Sequence, residues 1–345
     1  MGDPQAPFAK VLEVLDRHRA LGAGGRLAPD VVLVSIGDHF DYDQHDPETA
    51  GKEGVRLLRW LADHDREQAR ILLGNHDASR VMELIDFDDA AFAAARTLAR
   101  AGDDRAFAAA FPAVPTPGTV ARDYASYSTA QRELVIELLL AGRFQLALVA
   151  ELADGRMALV THAGVTAREL ALLEMSDACD PLVIAATLER VLRDAVGRVR
   201  ASWERGQREP LSLEPLHRAG VAGAEGGGLL YHRPSNPDRP QPAAFSPTRP
   251  RRFDPRTLPP GVAQVAGHSG HAKCVYELGD WVRPGAHARA HGGIRTLRVA
   301  GATVSYDLGI APAAQPGDAD LILIDGELRR VPASEFALLE VLRLL

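Results

Sequence analysis

The stretch Val31-Val32-Leu33-Val34-Ser35-Ile36 runs directly into Gly37-Asp38, and it decides how the rest of the sequence is interpreted. The run is short, almost continuously apolar and rich in β-branched residues, which is typical of a strand buried on both faces of a sheet. Ligands of α/β sheets bind in the crevice beyond the ends of the strands. We therefore expect a central strand here, with Asp38 at the edge where chemistry takes place.

Three further segments repeat this order of apolar strand and polar end. Each places a ligand-type residue directly after a predicted strand, as in Leu73-Gly74-Asn75-His76, Val160-Thr161-His162 and Ala266-Gly267-His268. Because strand ends on one edge of an α/β sheet converge on a common crevice, we expect the four polar ends to meet. One carboxylate, one amide oxygen and two imidazoles suit Mn, Fe or Zn. The sequence therefore predicts a divalent metal site.

These motifs, in this order, resemble the calcineurin-like metallophosphoesterase superfamily, in its bacterial Ser/Thr phosphoprotein phosphatase-like or diadenosine tetraphosphatase-like branch. The resemblance covers most of the chain and implies an α/β fold, a β-sandwich flanked by helices in four layers (αββα). It also implies a phosphatase, a hydrolase of ester bonds, in which two divalent cations hold a bridging hydroxide. The metal ligands it implies, with Asp38 shared by both cations, are Asp3, Gln5, Asp38, Asn75, His162 and His268.

The resemblance assigns further roles near the metal. Asp41 and His76 would form the acid dyad, in which His76 protonates the leaving-group oxygen. The phosphoprotein phosphatase branch carries an arginine where this chain has Tyr42. The segment that ends in Arg233 is similar to the Leu-Trp-x-Arg segment of bacterial relatives, so Arg233 is expected to bind phosphate. Arg80 is a second candidate for substrate binding.

The chain departs from the family pattern at its start. Gln5 replaces the usual imidazole, so the first metal is expected to be weakly held or to be a harder ion such as Mn or Mg. Asp3 lies two residues from Met1, so the first strand of the fold is expected to be missing. Two explanations stay open: a true start codon upstream of Met1, or an incomplete first half-site. The second explanation would make the protein a catalytically weak or silent phosphoryl-ligand-binding protein.

The organisation of the chain is expected to be one metallophosphoesterase domain over residues 1–345. An Ala-rich segment over about residues 86–145 predicts a helical cap insertion, and a Pro-rich loop is expected over about residues 232–260. Near the end, Leu321 to Ile324 is predicted to form a hairpin with Glu327 to Val331. Ala333 to Leu345 is predicted to form a closing helix.

The composition limits the class of protein. The chain has 345 residues, of which 46% are hydrophobic and 25% charged, and two cysteines rule out a disulfide framework and favour the reducing cytoplasm. No membrane segment is predicted. The net charge of −7 weakens a nuclease hypothesis and general nucleic-acid binding, since these need basic surfaces. The expected partners are a phosphorylated small molecule, a nucleotide or a phosphoprotein.

Overall fold

The computed structural model describes residues 1–239, 246–287 and 292–345. It has a mixed α/β architecture, as expected for the class. The strands in chain order are β1 (Leu33–Ser35), β2 (Ala69–Leu72), β3 (Phe144–Gln145), β4 (Ala147–Leu152), β5 (Met157–Thr161), β6 (His217–Arg218), β7 (Gly227–Gly228), β8 (Arg233–Pro234), β9 (Arg252–Phe253), β10 (Ala263–Ala266), β11 (Arg295–Ala300), β12 (Thr303–Leu308), β13 (Ala319–Leu323) and β14 (Val341–Leu344).

The helices carry clear sequence signals at their starts. Asp46 and Asp180 cap α2 and α8, and a proline stands at the first position of both, where its missing N–H is not needed. The helices are α1 (Phe8–Arg17), α2 (Pro47–Ala62), α3 (Asn75–Ala78), α4 (Asp89–Ala101), α5 (Asp104–Ala110), α6 (Thr129–Leu140), α7 (Ala167–Leu172), α8 (Pro181–Glu204), α9 (His271–Leu278) and α10 (Pro284–His287). No helix in the described ranges combines the length and apolar character needed to cross a membrane.

Two sheets form the centre of the molecule. One is parallel, in the order β1-β2-β3, and the other is mixed, in the order β12-β11-β13-β10-β5-β4-β14. Within the larger sheet β10 runs parallel to both β5 and β13. The carboxyl ends of β5 and β10 therefore lie side by side, which brings the segments after these two strands to the same edge.

The two sheets face each other across an apolar layer. Ile36 and Leu72 of the parallel sheet pack with Val160, Val265 and other inward side chains of the larger sheet. The opposite faces are covered by helices, because α1 and α2 pack against the parallel sheet and α8 packs against β4 and β5. This layering places the ends of β1, β2, β5 and β10 at a common rim.

Residues 89–140 are largely helical and contain α4, α5 and α6. Their aromatic side chains, among them Phe92, Phe107 and Tyr127, form a separate cluster together with Phe87. The segment that leads into α6 returns to the main body, where Ser126 contacts Asp41. This helical segment is therefore connected directly to the rim of the sheets.

Two of the predicted late elements are wrong. Residues 327–331 do not pair with β13 but include a short 3-10 helix, Leu328–Arg330, because β13 already has β10 and β11 as neighbours. The predicted closing helix over 333–345 contains only a 3-10 turn, Ala333–Glu335, followed by β14. Strand β14 pairs antiparallel with β4, and the unpaired edge of β4 outweighs the helical preference of the leucines.

The start of the chain does have a defined position. The α-amino group of Met1 donates to the carbonyl of Val34 (2.8 Å), and the Met1 carbonyl accepts from the Ile36 amide (3.1 Å). Met1 thus lies along β1, and Asp3 follows in a buried position. No strand precedes α1 among the described residues, but these hydrogen bonds give Asp3 a defined position.

The predicted Pro-rich loop is partly ordered by short pairing. Strand β8 pairs in parallel with β9, and Asp254 caps a 3-10 helix over Pro255–Thr257. Residues 240–245 of this loop lie outside the described residues. The pairing fixes Arg233 beside the segment that follows β10.

Candidate metal centre

The four polar strand ends meet. One ligand atom from each of Asp38, His162 and His268 lies within 4.8 Å of the other two, and all three residues are buried. Asn75, at the start of α3, brings its side-chain oxygen into the same group. The structure therefore brings together the four residues predicted from the strand ends.

The backbone around these residues is tight. A Cβ on Gly37 would lie 2.5 Å from the Gly74 amide nitrogen, and a Cβ on Gly74 would collide with the carboxylate of Asp38. Asp38 and His268 both adopt a φ of 58°, a conformation that non-glycine residues rarely take. Such strain persists only where the surroundings hold it, and it concentrates at functional sites.

The two imidazoles are oriented by backbone carbonyls. His162 Nδ1 lies 2.6 Å from the Ile36 carbonyl oxygen, and His268 Nε2 lies 2.8 Å from the Tyr231 carbonyl oxygen. Each of these nitrogens must carry the proton, because a carbonyl can only accept. His162 Nε2 and His268 Nδ1 are then lone-pair acceptors, and they face each other at 3.2 Å. Fixing the tautomer from behind in this way is typical of metal-binding histidines.

The amide oxygen of Asn75 faces acceptors only. It lies 2.9 Å from His268 Nδ1, 3.2 Å from His162 Nε2 and 3.3 Å from Asp38 Oδ2. A reversed amide, whose NH2 group would donate to these atoms and to the Leu230 carbonyl, satisfies both ends of the side chain, whereas a cation that all four atoms coordinate would satisfy the oxygen end. The cation arrangement uses the donor set that Mn, Fe and Zn accept, so the residues fit a divalent cation. We call Asn75, His162 and His268 the histidine group.

The electrostatics favour neutral imidazole beside charged carboxylate. Burial and the nearby Arg233 guanidinium hold the pKa of His268 well below its ordinary value. Burial alone would raise the pKa of Asp38, but His162 and His76 outweigh it and lower the pKa. His268 therefore keeps its lone pair and Asp38 its negative charge at neutral pH, which are the states that bind metal.

The two residues of the predicted acid dyad, His76 and Asp41, lie in contact. His76 Nδ1 lies 2.9 Å from Asp41 Oδ2, and His76 Nε2 lies 3.8 Å from Asp38 Oδ2. Burial would lower the pKa of His76, but the two carboxylates outweigh it and raise the pKa. The ring of Tyr124 packs edge-on against the imidazole, with 5.2 Å between centroids. These carboxylates therefore favour the cationic form of His76, and the contacts with Asp41 and Tyr124 fix its orientation.

Arg80 lies beneath the dyad rather than on the surface of the cleft. It is fully buried, its Nη2 lies 2.7 Å from Asp41 Oδ2, and its Nη1 donates to the His76 carbonyl. The guanidinium therefore has no path to a substrate, and its contacts position Asp41 and His76. Ser126 adds two more donors to Asp41, from its amide (2.9 Å) and its hydroxyl (2.7 Å).

Asp3 and Gln5 lie beside Asp38. Asp3 Oδ1 accepts from the His268 amide (2.8 Å), and burial together with the nearby Asp325 and Asp38 carboxyls raises the pKa of Asp3 well above its usual range. Gln5 Nε2 donates to the Phe40 carbonyl (2.9 Å). The amide oxygen is therefore the end of Gln5 that is suited to a cation.

A cleft of about 200 Å³ opens over these residues, and Asp38, Asp41, His76, His268 and Arg233 line it. The remaining lining residues are Asp3, Gln5, Tyr42, Gly270, Lys273, Asp325, Glu327, Leu328, Arg329 and Arg330. A larger cavity of about 450 Å³ lies between β1 and β14 and is lined mainly by apolar side chains. The polar, ligand-type side chains therefore line the smaller cleft, whereas the larger cavity is mainly apolar.

Positive charge reaches the cleft from β8 and α9. Arg233 Nε donates to the His268 carbonyl at 3.3 Å, and its guanidinium lies over the ring of Tyr231. The pKa of Lys273 is lowered to about 8, chiefly by the charge of Arg233. Two cations held this close together are suited to a shared anion.

Sequence reasoning missed Asp325 and Glu327, which also line the cleft. A signal was present, because Leu321-Ile322-Leu323-Ile324-Asp325 repeats the pattern of an apolar strand that ends in a carboxylate. The predicted hairpin between 321–324 and 327–331 treats Asp325 as a turn residue, so it is not considered as a strand-end carboxylate. We call Asp3, Gln5, Asp325 and Glu327 the carboxylate group.

No protein-family model matches the chain, and no curated protein or solved structure matches it significantly. The resemblance to a known superfamily therefore rests on the sequence motifs alone.

Proposed function

We propose that this chain is a metal-dependent phosphoesterase that hydrolyses phosphomonoesters or phosphoanhydrides. The proposed fold is the four-layer αββα sandwich of the calcineurin-like metallophosphoesterases, and the two facing sheets with helices outside support it. One observation carries the proposal. Ligand atoms of Asp38, His162 and His268 lie within 4.8 Å of one another beside the Asn75 side chain, and His76, whose Nδ1 contacts Asp41, lies next to them.

The residues divide between two cations. The histidine group with Asp38 would hold one cation, and Asp3 and Gln5 with the shared Asp38 would hold the other. When bound, two cations of the Mn, Fe or Zn type supply an activated water and positive charge for the phosphoryl oxygens.

His76 is suited to the role of general acid. Its Nδ1 proton is donated to Asp41, so Nε2 is the nitrogen that carries the proton available to the cleft. A leaving-group oxygen placed near Nε2 would take this proton as the bond to phosphorus breaks. The raised pKa of His76 keeps the proton in place near neutral pH.

Arg233 is suited to hold the phosphoryl group. Its guanidinium lines the cleft beside His268, and a planar guanidinium matches the geometry of phosphate oxygens. The substrate in this proposal is a phosphorylated small molecule, a nucleotide or a phosphoprotein. A cytoplasmic location belongs to the same proposal, and both cysteines are free thiols.

The test is metal-dependent hydrolysis by the whole chain. Protein stripped with chelator and reloaded with Mn²⁺ should hydrolyse p-nitrophenyl phosphate or dinucleoside polyphosphates, and Asp38→Ala and Asn75→Ala should abolish this activity. His45→Ala changes an exposed histidine near the cleft and should retain it. Activity that survives both ligand changes, or that needs no metal, would contradict the proposal.

A second candidate is a catalytically weak or silent protein that binds phosphoryl ligands. Gln5, which supplies a neutral amide, and Tyr42, which stands in the cleft where an arginine is expected, favour it. Calorimetric binding of inorganic phosphate without turnover under Mn, Fe and Zn would support this function and exclude the hydrolase.

A further inference from the structure

Three buried side chains behind the metal centre contact one another in series. His39 Nδ1 donates to Asp77 Oδ1 at 3.0 Å, and His39 Nε2 lies 2.9 Å from Ser35 Oγ. Ser35 and Asp77 are fully buried and His39 is 1% exposed, so no substrate reaches the Ser35 hydroxyl. The contacts are those of a nucleophilic Ser-His-Asp triad, but a nucleophile must touch its substrate. These three residues therefore act on the protein itself.

Asp77 joins the segment after β1 to the segment after β2. Its Oδ2 accepts from the Asp38 amide (3.0 Å) and the Gly74 amide (3.0 Å), and its Oδ1 accepts from the His39 amide (3.2 Å). Asp77 itself lies in α3, two residues after Asn75. One carboxylate therefore fixes the position of Asp38 relative to Asn75.

Asp38 needs this support because its backbone is strained. Its φ of 58° is left-handed, and such a conformation persists only where the surroundings hold it. Asp77 holds the Asp38 amide, and the His76 amide donates to Asp38 Oδ1 at 2.8 Å. Both contacts come from α3. The direction of the Asp38 carboxylate therefore depends on where α3 lies.

His39 fixes the orientation of the Asp77 carboxylate. Its Nδ1 lies 3.0 Å from Oδ1 and 3.1 Å from Oδ2, so the N–H group is directed between the two oxygens. Ser35, in β1, contacts the opposite ring nitrogen and so anchors the imidazole to the sheet. A ring with a partner at both nitrogens cannot rotate without breaking a hydrogen bond. The imidazole therefore ties the Asp77 carboxylate to the position of β1.

We propose that His39 is a positioning residue of the metal centre. Through Asp77, it holds the Asp38 segment and the start of α3 at the spacing that a cation requires. The inference rests on the proposed function, since it concerns the affinity of the same centre for its cation. Removal of a group that supports metal ligands from behind typically weakens metal binding roughly 10- to 100-fold.

The test is the binding of Mn²⁺ to the whole chain, measured by calorimetry. The NH2 group of asparagine lies close to the place of a histidine Nδ1, whereas that of glutamine lies closer to the place of Nε2. His39→Asn should therefore keep a donor to Asp77 and bind Mn²⁺ nearly as tightly as the wild type. His39→Gln should lose this donor while still reaching Ser35, so its affinity for Mn²⁺ should fall about tenfold.

His64→Gln is the matched control. His64 is another buried histidine with a contact at each ring nitrogen, to the Trp60 carbonyl (2.7 Å) and the Leu27 amide (3.1 Å), away from the residues that line the cleft. This change should lower the free energy of unfolding in urea and leave the affinity for Mn²⁺ unchanged. The visible absorption of bound Co²⁺ depends on ligand geometry, and it should shift in His39→Gln but not in His64→Gln.

If His39→Gln does not fold, Ser35→Ala replaces it, because this change removes only the outer contact of the imidazole. Ser35→Ala should also weaken the binding of Mn²⁺, and an unchanged affinity would count against the inference. Two further results would overturn it: a folded His39→Gln protein that binds Mn²⁺ as tightly as the wild type, or a His39→Asn protein that loses as much affinity as His39→Gln.

Failure of the proposed function is distinguishable from failure of this inference. A wild type that binds Mn²⁺, loses affinity with His39→Gln and hydrolyses no phosphoester would support the positioning role while contradicting the enzyme. A wild type that hydrolyses p-nitrophenyl phosphate, with an unchanged affinity for Mn²⁺ in His39→Gln, would overturn the positioning role and support the enzyme.

Discussion

The histidine group and the carboxylate group share Asp38 but are prepared for a ligand in different ways. In the histidine group, backbone carbonyls at Ile36 and Tyr231 fix both tautomers, so the lone pairs are already aimed. In the carboxylate group, burial and like charge raise the pKa of Asp3 and of Asp325. The first arrangement is preorganised by neutral hydrogen bonds, whereas the second needs added positive charge to reach its ionised form. We therefore expect the histidine group and the carboxylate group to differ in their affinity for a cation, in the metal they prefer and in how binding changes with pH.

The largest expected effect comes from breaking the histidine group. His162→Ala removes a fixed lone pair, and we expect hydrolysis of p-nitrophenyl phosphate to fall on the order of 10³-fold with loss of the tightly held cation. Asp3→Asn, in the other group, should cost about tenfold to a hundredfold and keep one tight cation. Steady-state kinetics with metal analysis measures both. Equal losses in the two variants would mean that the groups are equivalent.

The acid dyad should act on chemistry without affecting either group of ligands. His76→Gln removes the proton donor, so kcat should fall about 10²-fold or more while two cations remain bound. The loss should be larger for an alkyl phosphate than for p-nitrophenyl phosphate, because p-nitrophenolate leaves without a proton. A variant that loses metal in parallel with activity would place His76 among the ligands instead.

Loss of the hydrogen bond from the Ser126 hydroxyl to Asp41 should lower kcat by less than loss of His76 itself. Ser126→Ala removes a 2.7 Å hydrogen bond to Asp41 and leaves the amide bond in place, so we expect kcat to fall about threefold to tenfold with KM unchanged. Thr129→Ala, at the start of α6, serves as the control. A changed KM would mean that Ser126 contacts substrate.

The smallest expected effect is on the free energy of unfolding of the metal-free protein. Its dependence on pH has opposite signs in the two groups. The lowered pKa of His268 means that the unfolded chain binds more protons, so this contribution to stability is lost as pH falls below about 6.5. The raised pKa of Asp325 means that the folded chain binds more protons, so stability falls as pH rises above about 4. Asp325→Asn should therefore stabilise the metal-free protein at pH 7 by on the order of 1 kcal/mol. Urea unfolding at pH 5 and pH 7 in chelator checks this, and a gain that is larger at pH 5 would reverse the argument.

The sequence could predict the histidine group because each of its members follows its own strand. Apolar runs such as Val31 to Ile36 identify the strands, and parallel neighbours bring their ends together whatever lies between them. The α/β class followed from the same runs. The long helix α8 has equally local signals, since its apolar spacing and its Asp180 cap both lie within its own sequence.

The carboxylate group could only partly be predicted, because it depends on contacts between loops. Nothing local connects Gly270 to Glu327; the two come into contact only when the segment after β13 packs against the start of α9. The last residues show the same limit. Val341 to Leu344 have a helical pattern in isolation, but the exposed edge of β4 provides hydrogen bonds that local preference cannot anticipate.

Arg80 shows a third limit of prediction from sequence, because the residue type alone does not indicate whether a side chain is buried or faces the cleft. An arginine three residues after a predicted active-site turn is a reasonable candidate for phosphate binding. In the fold it is fully buried and bound to Asp41, Gln131 and the His76 carbonyl. Its charge therefore acts on the dyad and not on the substrate.

In the proposed enzyme, the contact between Ser126 and Asp41 would link the access of substrate to the cleft with acid catalysis by His76. Tyr124 and Ser126 lie in the segment that joins the helices of residues 89–140 to the rim. Tyr124 contacts His76, and Ser126 donates to Asp41. A bulky substrate that displaced this segment would also remove the contacts that orient the His76 imidazole. In the proposed enzyme, exclusion of large substrates and delivery of the proton would therefore depend on the same contacts, so a poorly fitting substrate would lose the acid catalyst as well as affinity.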